Sequence, residues 1–232
     1  MSDAFNELFD THAAFAMESQ MAFEEMAAGQ PWEADVEAGT LTVGPLSSRT
    51  QVLASYSQVS GTLLWAWARE RELGEGWPEQ TTPASKHIAS LGKDAPELSS
   101  GMAKLTPEEA DDAVLIGVAL LHAAGPKAAG VDAPAFYRGD HAQGSIYLLV
   151  DSAKLRFAPK HVANKVLETF PKLVAMGMPF TSVQRAFESY VSMHGMTLEG
   201  NARSVVAKHA SGTVTALFDE SGRLEKISGE LS

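Results

Sequence analysis

Residues Ala113 to Ala124 read AVLIGVALLHAA, a run in which His122 is the one polar side chain. As a helix the run spans about 18 Å at 1.5 Å per residue, well short of a bilayer core. It is apolar all round, so it needs protein packed against every face. Its start and stop are written beside it. Thr106-Pro107 sets a hydroxyl cap before a proline suited to the first helical position, Glu109 completes a capping box, and Gly125-Pro126 ends the helix. The rest of the chain must therefore supply a shell for a buried central helix. With 232 residues, 45% of them hydrophobic and 20% charged, it has enough material to do so without metal or disulfide staples.

That shell reads as helices and short strands. From Ala4 to Ala28, Phe5, Leu8, Phe9, Phe15, Ala16, Phe23 and Met26 recur at three- and four-residue steps, predicting a long amphipathic helix closed by Gly29-Gln30-Pro31. Four β-rich runs follow, Trp32 to Val36, Thr40 to Val43, Thr50 to Tyr56 and Gly61 to Ala68, with turns at Ala38-Gly39 and Ser60-Gly61. Residues 69–80 are charged and glycine-rich and read as a connection, and Thr82-Pro83 starts another helix. Ala135 to Tyr137 and Ser145 to Val150 predict a strand pair. A helix then carries Val162, Val166, Phe170, Leu173 and Val174 on one face, with Pro171 kinking or splitting it. Val183, Ala186, Phe187, Tyr190 and Val191 mark a further helix closed by Gly195. Strands at Met196 to Leu198, Ser204 to His209, Thr213 to Phe218 and Arg223 to Ile227 finish the chain.

The fold class expected is α+β, with two antiparallel β-meanders, each preceded by amphipathic helices, and a buried helical middle segment. The expected divisions are 1–75 for the first helix and meander, 76–130 for the helical middle, and 131–232 for the strand pair, helices and second meander, all of which can also form one continuous domain. Because both ends read as helix then meander, a structural duplication without sequence repeat is also open.

Charge and composition exclude several functions. A net charge of −11, from 18 basic and 29 acidic residues, argues against a nucleic-acid partner, which needs a basic face that releases counterions. The imbalance is local: residues 1–130 hold 19 acidic and 7 basic side chains, residues 131–232 hold 10 and 11. With no cysteine, disulfides, thiolate metal sites and cysteine nucleophiles are ruled out. Met1-Ser2-Asp3 lacks the basic and apolar regions of a signal peptide, so a cytoplasmic setting without membrane association is expected. No His pair has metal-ligand spacing, Gly125 to Gly130 lacks the Lys and Ser or Thr of a phosphate loop, and no nucleophile elbow or dinucleotide fingerprint is present; no metal or cofactor is expected.

The most distinctive string is Gly61-Thr62-Leu63-Leu64-Trp65-Ala66-Trp67-Ala68. On a continuous strand Leu63, Trp65 and Trp67 share a face, and two indoles side by side would either fill a core or wall a ligand cleft. Glu108, Glu109, Asp111 and Asp112 fall in the first turns after the Thr106 cap, where the helix dipole favours negative charge. His122, on the apolar helix, needs a hydrogen-bond partner or a ligand there. Lys154, Arg156, Lys160, Lys165 and Lys172 form a basic cluster, read as a solvated face, a docking face for acidic surface, or a site for a small anion near Lys160.

Three stretches carry a resemblance. Asp35 to Val43 (DVEAGTLTV), Gln51 to Ser57 (QVLASYS) and Gly61 to Ala68 resemble, in order, the D-x-x-x-G-T-L-T, Q-V-L-G-x-Y-S and G-T-W-L-W-A-W-A-N segments of an uncharacterised bacterial domain-of-unknown-function family. Ala133 to Arg138 resembles its G-A-x-A-x-Y-R segment. The likeness covers patches of residues 30 to 150, with Ala54 for a usual Gly, Leu63 for Trp and Arg69 for Asn. The resemblance implies a bacterial cytoplasmic protein and supplies no activity.

Together these readings lead to a non-catalytic binding or assembly protein. Trp65, Trp67 and Tyr137 are expected to line a cleft for a small hydrophobic or anionic ligand, with Arg138 as polar anchor and His122 nearby. The alternatives are a small enzyme, a hydrolase for example, using His122 or His141 with a carboxylate, and a structural homodimer joined through the Ala4 to Ala28 helix.

Overall fold

The computed structural model describes the chain except residues 77, 130–133, 152–154 and 156–160, and describes only the backbone at Gln80 and at 126–129. The protein is α+β, built on two antiparallel sheets. It forms two compact units: Met1–Phe5 with Ser19–Arg156, and Asn6–Glu18 with Phe157–Ser232. Helix α1 (Asp3–Ala27) supplies residues to both; Ser2 caps it, its hydroxyl accepting the Phe5 N–H at 3.2 Å.

In the first unit an eight-stranded sheet grows around one long bent path. Strands β1 (Trp32–Asp35) and β2 (Thr40–Val43) pair, and β2 turns through Gly44-Pro45 into β3 (Leu46–Arg49). This third strand was not expected; its alternation is carried by Leu46 and Ser48, too weak a signal against the polar Ser-Ser-Arg that surrounds it. The chain runs on into β4 (Val52–Ser57), which pairs with β5 (Thr62–Trp65), and β5 pairs with the short β6 (Met102–Lys104). The hairpin of β7 (Pro134–His141) and β8 (Gly144–Asp151) inserts on the other edge, β8 lying along both β3 and β4. The N-terminal meander is thus widened into a sheet by the strand pair.

Between β5 and β6 lie a 3-10 turn at Ala66–Ala68, α2 (Arg69–Leu73), α3 (Pro83–Leu91) and α4 (Pro96–Ser99). Helix α5 (Pro107–Ala129) follows with its capping box formed as expected: the Thr106 N–H reaches Glu109 Oε2 at 2.8 Å, and the Glu109 N–H reaches Thr106 Oγ1 at 3.2 Å. It breaks at Gly125, whose φ of 76° is open to glycine and costly to other residues. Ala113 to Leu121 are all buried, Gly117 included, where an added Cβ would sit 3.0 Å from Ile88 and 3.2 Å from the Trp65 ring. Glycine there lets the helix lie flat on its neighbours. His122 is half-buried, not enclosed as the apolar run implied.

In the second unit α6 (Val162–Ala175) packs over β10 (Ser204–His209), β11 (Gly212–Phe218) and β12 (Leu224–Leu231), and β9 (Thr197–Asn201) completes the sheet in the order β12-β11-β10-β9. Pro171 sits inside α6, which remains one element. Helix α7 (Val183–Met193) buries Ala186, Phe187, Tyr190 and Val191, the stripe its spacing marks. Phe170 meets Phe187 edge to face at 5.1 Å and stacks on Tyr190 at 5.7 Å. Phe9, Ala13, Ala14 and Ala16 of α1 are buried.

Candidate functional site

Strand pleating gives the first unit's sheet two faces. One carries Trp65, Ala54, Tyr147 and Arg138 in one cross-strand row and Leu63, Tyr56, Ser145 and Asp140 in the next. Helices α3, α4 and α5 cover it. Trp65 is 0% exposed and its indole N–H donates to the Glu97 carbonyl at 2.7 Å. The Tyr147 hydroxyl donates to Asp111 Oδ1 at 2.7 Å, while Arg138 donates to Asp111 Oδ2 at 2.7 Å and to Asp140 Oδ1 at 2.8 Å. Ser145 also donates to Asp140. The Ser145 hydrogen bond, then Arg138, holds the Asp140 carboxyl below the usual carboxylate range. Burial and the Asp111 carboxylate push the Tyr147 phenol far up. This face is finished: its polar groups answer one another.

The other face is covered at one end only. There Val52, Leu148, Val150 and Ala135 join Leu41, Val43, Leu46 and Phe23 of α1 in a core cluster. At the other end lies an open groove of about 620 Å³. Its floor is a row set by register, Ile146–Ser55–Leu64–Met102, across four strands. The next row, about 7 Å along the strands, is polar: His141, Ser57 and Thr62, with Gly144 between them and Lys104 opposite Thr62 on the edge strand. Arg69 and Leu73 of α2 form a wall. Met102 is 47% exposed and Leu73 56%.

The sequence-based site residues scatter relative to this groove. The tryptophans do not share a strand face, because β5 ends at Trp65 and Ala66–Ala68 winds into a 3-10 turn. Trp65 is sealed in the core. Trp67, half-buried, lies under the Arg71 guanidinium at 5.2 Å from the ring centroid, outside the groove lining. Arg138 alternates with Tyr137, so it points to the helix-covered face and is held by Asp111 and Asp140; it cannot anchor a ligand beside Tyr137. His122 is on α5. Of the five residues expected to form the cleft, Tyr137 alone lies on the groove side, packed on Trp32 at 5.0 Å. Trp32 is 50% exposed. Gly139 sits between that aromatic pair and the groove: an added Cβ would meet Ile146 at 3.2 Å, Tyr137 at 3.6 Å and Trp32 at 3.8 Å.

What the sequence reading missed is the groove floor itself. The signal was present in β4, where Ser55 and Ser57 alternate with Ala54 and Tyr56, and attention to the rarer tryptophans passed over it. His141, named as a catalyst, does line the groove, but its Nδ1 accepts the Gln143 backbone N–H at 3.3 Å, a contact within its own hairpin rather than with a carboxylate. Among the described residues no group of three His, Asp or Glu side chains is arranged to hold a metal ion. No described helix is long and apolar enough to cross a membrane. Lys154, Arg156 and Lys160 of the basic cluster lie outside the described residues.

The second unit buries a polar cluster of its own. Glu18 Oε2 accepts the Tyr190 hydroxyl at 2.5 Å and lies 2.9 Å from His194 Nε2, and burial, then Glu18, raises the Tyr190 phenol well above its ordinary value. Asp10, fully buried, accepts the Thr181 N–H at 2.8 Å and hydroxyl at 2.5 Å. These pairs fasten α1 to α7 and its approach segment. A smaller hollow of about 260 Å³ beside β9 is lined by Glu188 and Glu199.

A family model described as a family of unknown function (DUF6882) matches residues 6–153. No curated protein and no solved structure matches the chain.

Proposed function

Since the chain belongs to that family of unknown function, and the matched span contains every residue lining the groove, we propose that the groove is the working part of the molecule: a non-catalytic binding site for a small amphipathic compound. The observation that carries this is a half-covered sheet. One face of the same strands is packed under helices over Trp65, Ala54 and Tyr147, while the other leaves Leu64, Ile146, Met102 and Leu73 around a hollow of about 620 Å³. That volume falls in the range of about 300–1,000 Å³ typical of small-molecule sites. Hydroxyls of Ser55, Ser57 and Thr62 supply the few orienting polar groups such sites need.

A thermal-shift screen of small amphiphiles tests the reading. A compound present at 100 times its Kd should stabilise the folded state by about 2.7 kcal/mol, a rise of several degrees. Ser55→Trp, which places an indole between Leu64 and Ile146, should abolish that shift while the variant itself still unfolds cooperatively. If no amphiphile raises the melting temperature, or if Ser55→Trp responds as the wild type does, the groove is not the site.

A further inference from the structure

The lining of the groove has a charge character unlike the rest of the protein. In a chain with 29 acidic residues and a net charge of −11, no Asp or Glu lines it among the described residues, whereas Arg69 and His141 do. Lys104 stands just outside that lining: it pairs with Thr62 across β5 and β6, so the register puts it on the groove face of the sheet, beside the polar row. The carboxylates of β7 and α5, Asp140 and Asp111, are turned to the opposite face and occupied by Arg138. Glu75 lies 3.9 Å from Arg69 and is itself highly exposed, a contact that water weakens.

Resting on the binding role given above, we propose that the ligand is a single-chain amphipathic anion: a carboxylic acid or similar, its apolar body on the Ile146–Leu64–Met102 row and its charged head over the Ser57–Thr62–Lys104 row. The two rows run parallel about 7 Å apart, which matches a molecule with one apolar edge and one polar end. The Ser57 hydroxyl, which accepts the Ser60 N–H at 3.3 Å and keeps its own proton to donate, and the Lys104 ammonium recognise an anion by charge-assisted hydrogen bonds, about twice as strong as neutral ones; the Thr62 hydroxyl donates to the Ser60 carbonyl at 3.3 Å. A cation would find no counter-charge on the lining. Lysine on a short edge strand also discourages edge-to-edge pairing; that role alone predicts no effect on ligand affinity, so substitution separates the two.

The experiment is calorimetric titration of the full chain at pH 7.5 and low salt with octanoate and with 1-octanol, which share a tail and differ in the head. The wild type should bind octanoate at least tenfold more tightly than 1-octanol. Lys104→Glu should weaken octanoate about tenfold and leave 1-octanol within twofold. Lys104→Gln should fall between, and circular dichroism should show both variants folded. Equal affinity for the two probes, or indifference of octanoate to both Lys104 variants, overturns the anionic head and leaves the groove reading standing. Absence of binding by either probe overturns both. Sedimentation with phosphatidylglycerol vesicles separates the remaining source of the same chemistry: a protein that pellets with the vesicles yet ignores octanoate recognises a membrane surface, and the free-amphiphile proposal fails.

Discussion

The two faces of the eight-stranded sheet are made by alternate residues of the same strands, yet they have different fates. On the helix-covered face each large or polar side chain has a partner: Trp65 with the Glu97 carbonyl, Tyr147 and Arg138 with Asp111, Ser145 with Asp140. On the groove face Ser55, Ser57 and Thr62 stand beside Leu64, Ile146 and Met102, with α2 walling one side and the hollow left open among the described residues. Fold stability depends on the first face, and binding is assigned to the second. Substitutions on the two faces should therefore separate stability from affinity.

The largest effect belongs to Trp65. Trp65→Ala should lower stability by about 3–5 kcal/mol, because it empties a fully buried volume and leaves the Glu97 carbonyl without its donor. Met102→Ala, on the adjacent edge strand and the other face, should cost less than about 0.5 kcal/mol. Urea unfolding of both variants checks the contrast; similar losses would mean that the groove face belongs to the core as fully as the covered one does. Next comes Asp111→Ala, expected to cost about 2 kcal/mol, since it strips the partner from a buried phenol and from Arg138 together. Tyr147→Phe should cost about 1 kcal/mol, and the double variant should cost less than the sum.

How much of this the sequence shows differs between the same two faces. The capping box at Thr106, the apolar run of α5 and the Phe187–Tyr190 stripe of α7 are local signals, and all sit where their spacing places them. The pairing of Asp111 with Tyr147 and Arg138 is not local: those contacts cross 36 and 27 residues. In the second unit, Glu18 meets Tyr190 and His194 across more than 170 residues. Periodicity marks a helix face but not which carboxylate on it finds a tyrosine. The tryptophan string misleads for a different reason. Alternation tells which side chains share a face only while the chain stays pleated, and nothing in Trp-Ala-Trp-Ala announces that the strand stops at Trp65 and coils. The groove needed one further fact no local pattern holds, namely that none of the described helices fills the hollow over Ser55.

Asp112 offers a smaller test on the covered side. Burial, then Asp111, Glu109 and Glu108, raises its carboxyl from 3.8 to about 6. A carboxyl whose folded pKa exceeds its unfolded value binds more protons when folded between those two values, so its contribution to stability falls as pH rises from about 4 to about 6. Above that window the charge is a standing penalty. Two pKa units correspond to about 3 kcal/mol, and the partial exposure of the side chain cuts this to about 1 kcal/mol. Asp112→Asn should therefore stabilise the protein by about 1 kcal/mol at pH 7.5 and be neutral at pH 4. A gain that is equal at both pH values would assign it to packing rather than charge.

The smallest expected change in stability, and the sharpest probe of where the groove ends, is Gly139→Ala. Its backbone needs no glycine conformation, so β-sheet propensity favours the substitution, while the added methyl presses on Ile146 at 3.2 Å. These effects oppose, and the net should stay within about 0.5 kcal/mol. The methyl would stand between the Ile146 floor and the Trp32–Tyr137 pair. If a bound tail reaches past Ile146 to the exposed indole, octanoate affinity should drop several-fold with the melting temperature unmoved, and a shorter chain such as butanoate should be unaffected. If both acids respond alike, the site stops at Ile146 and the aromatic pair serves the sheet alone. The comparison of chain lengths thus decides whether Tyr137, the one expected cleft residue on this side, belongs to the ligand or to the fold.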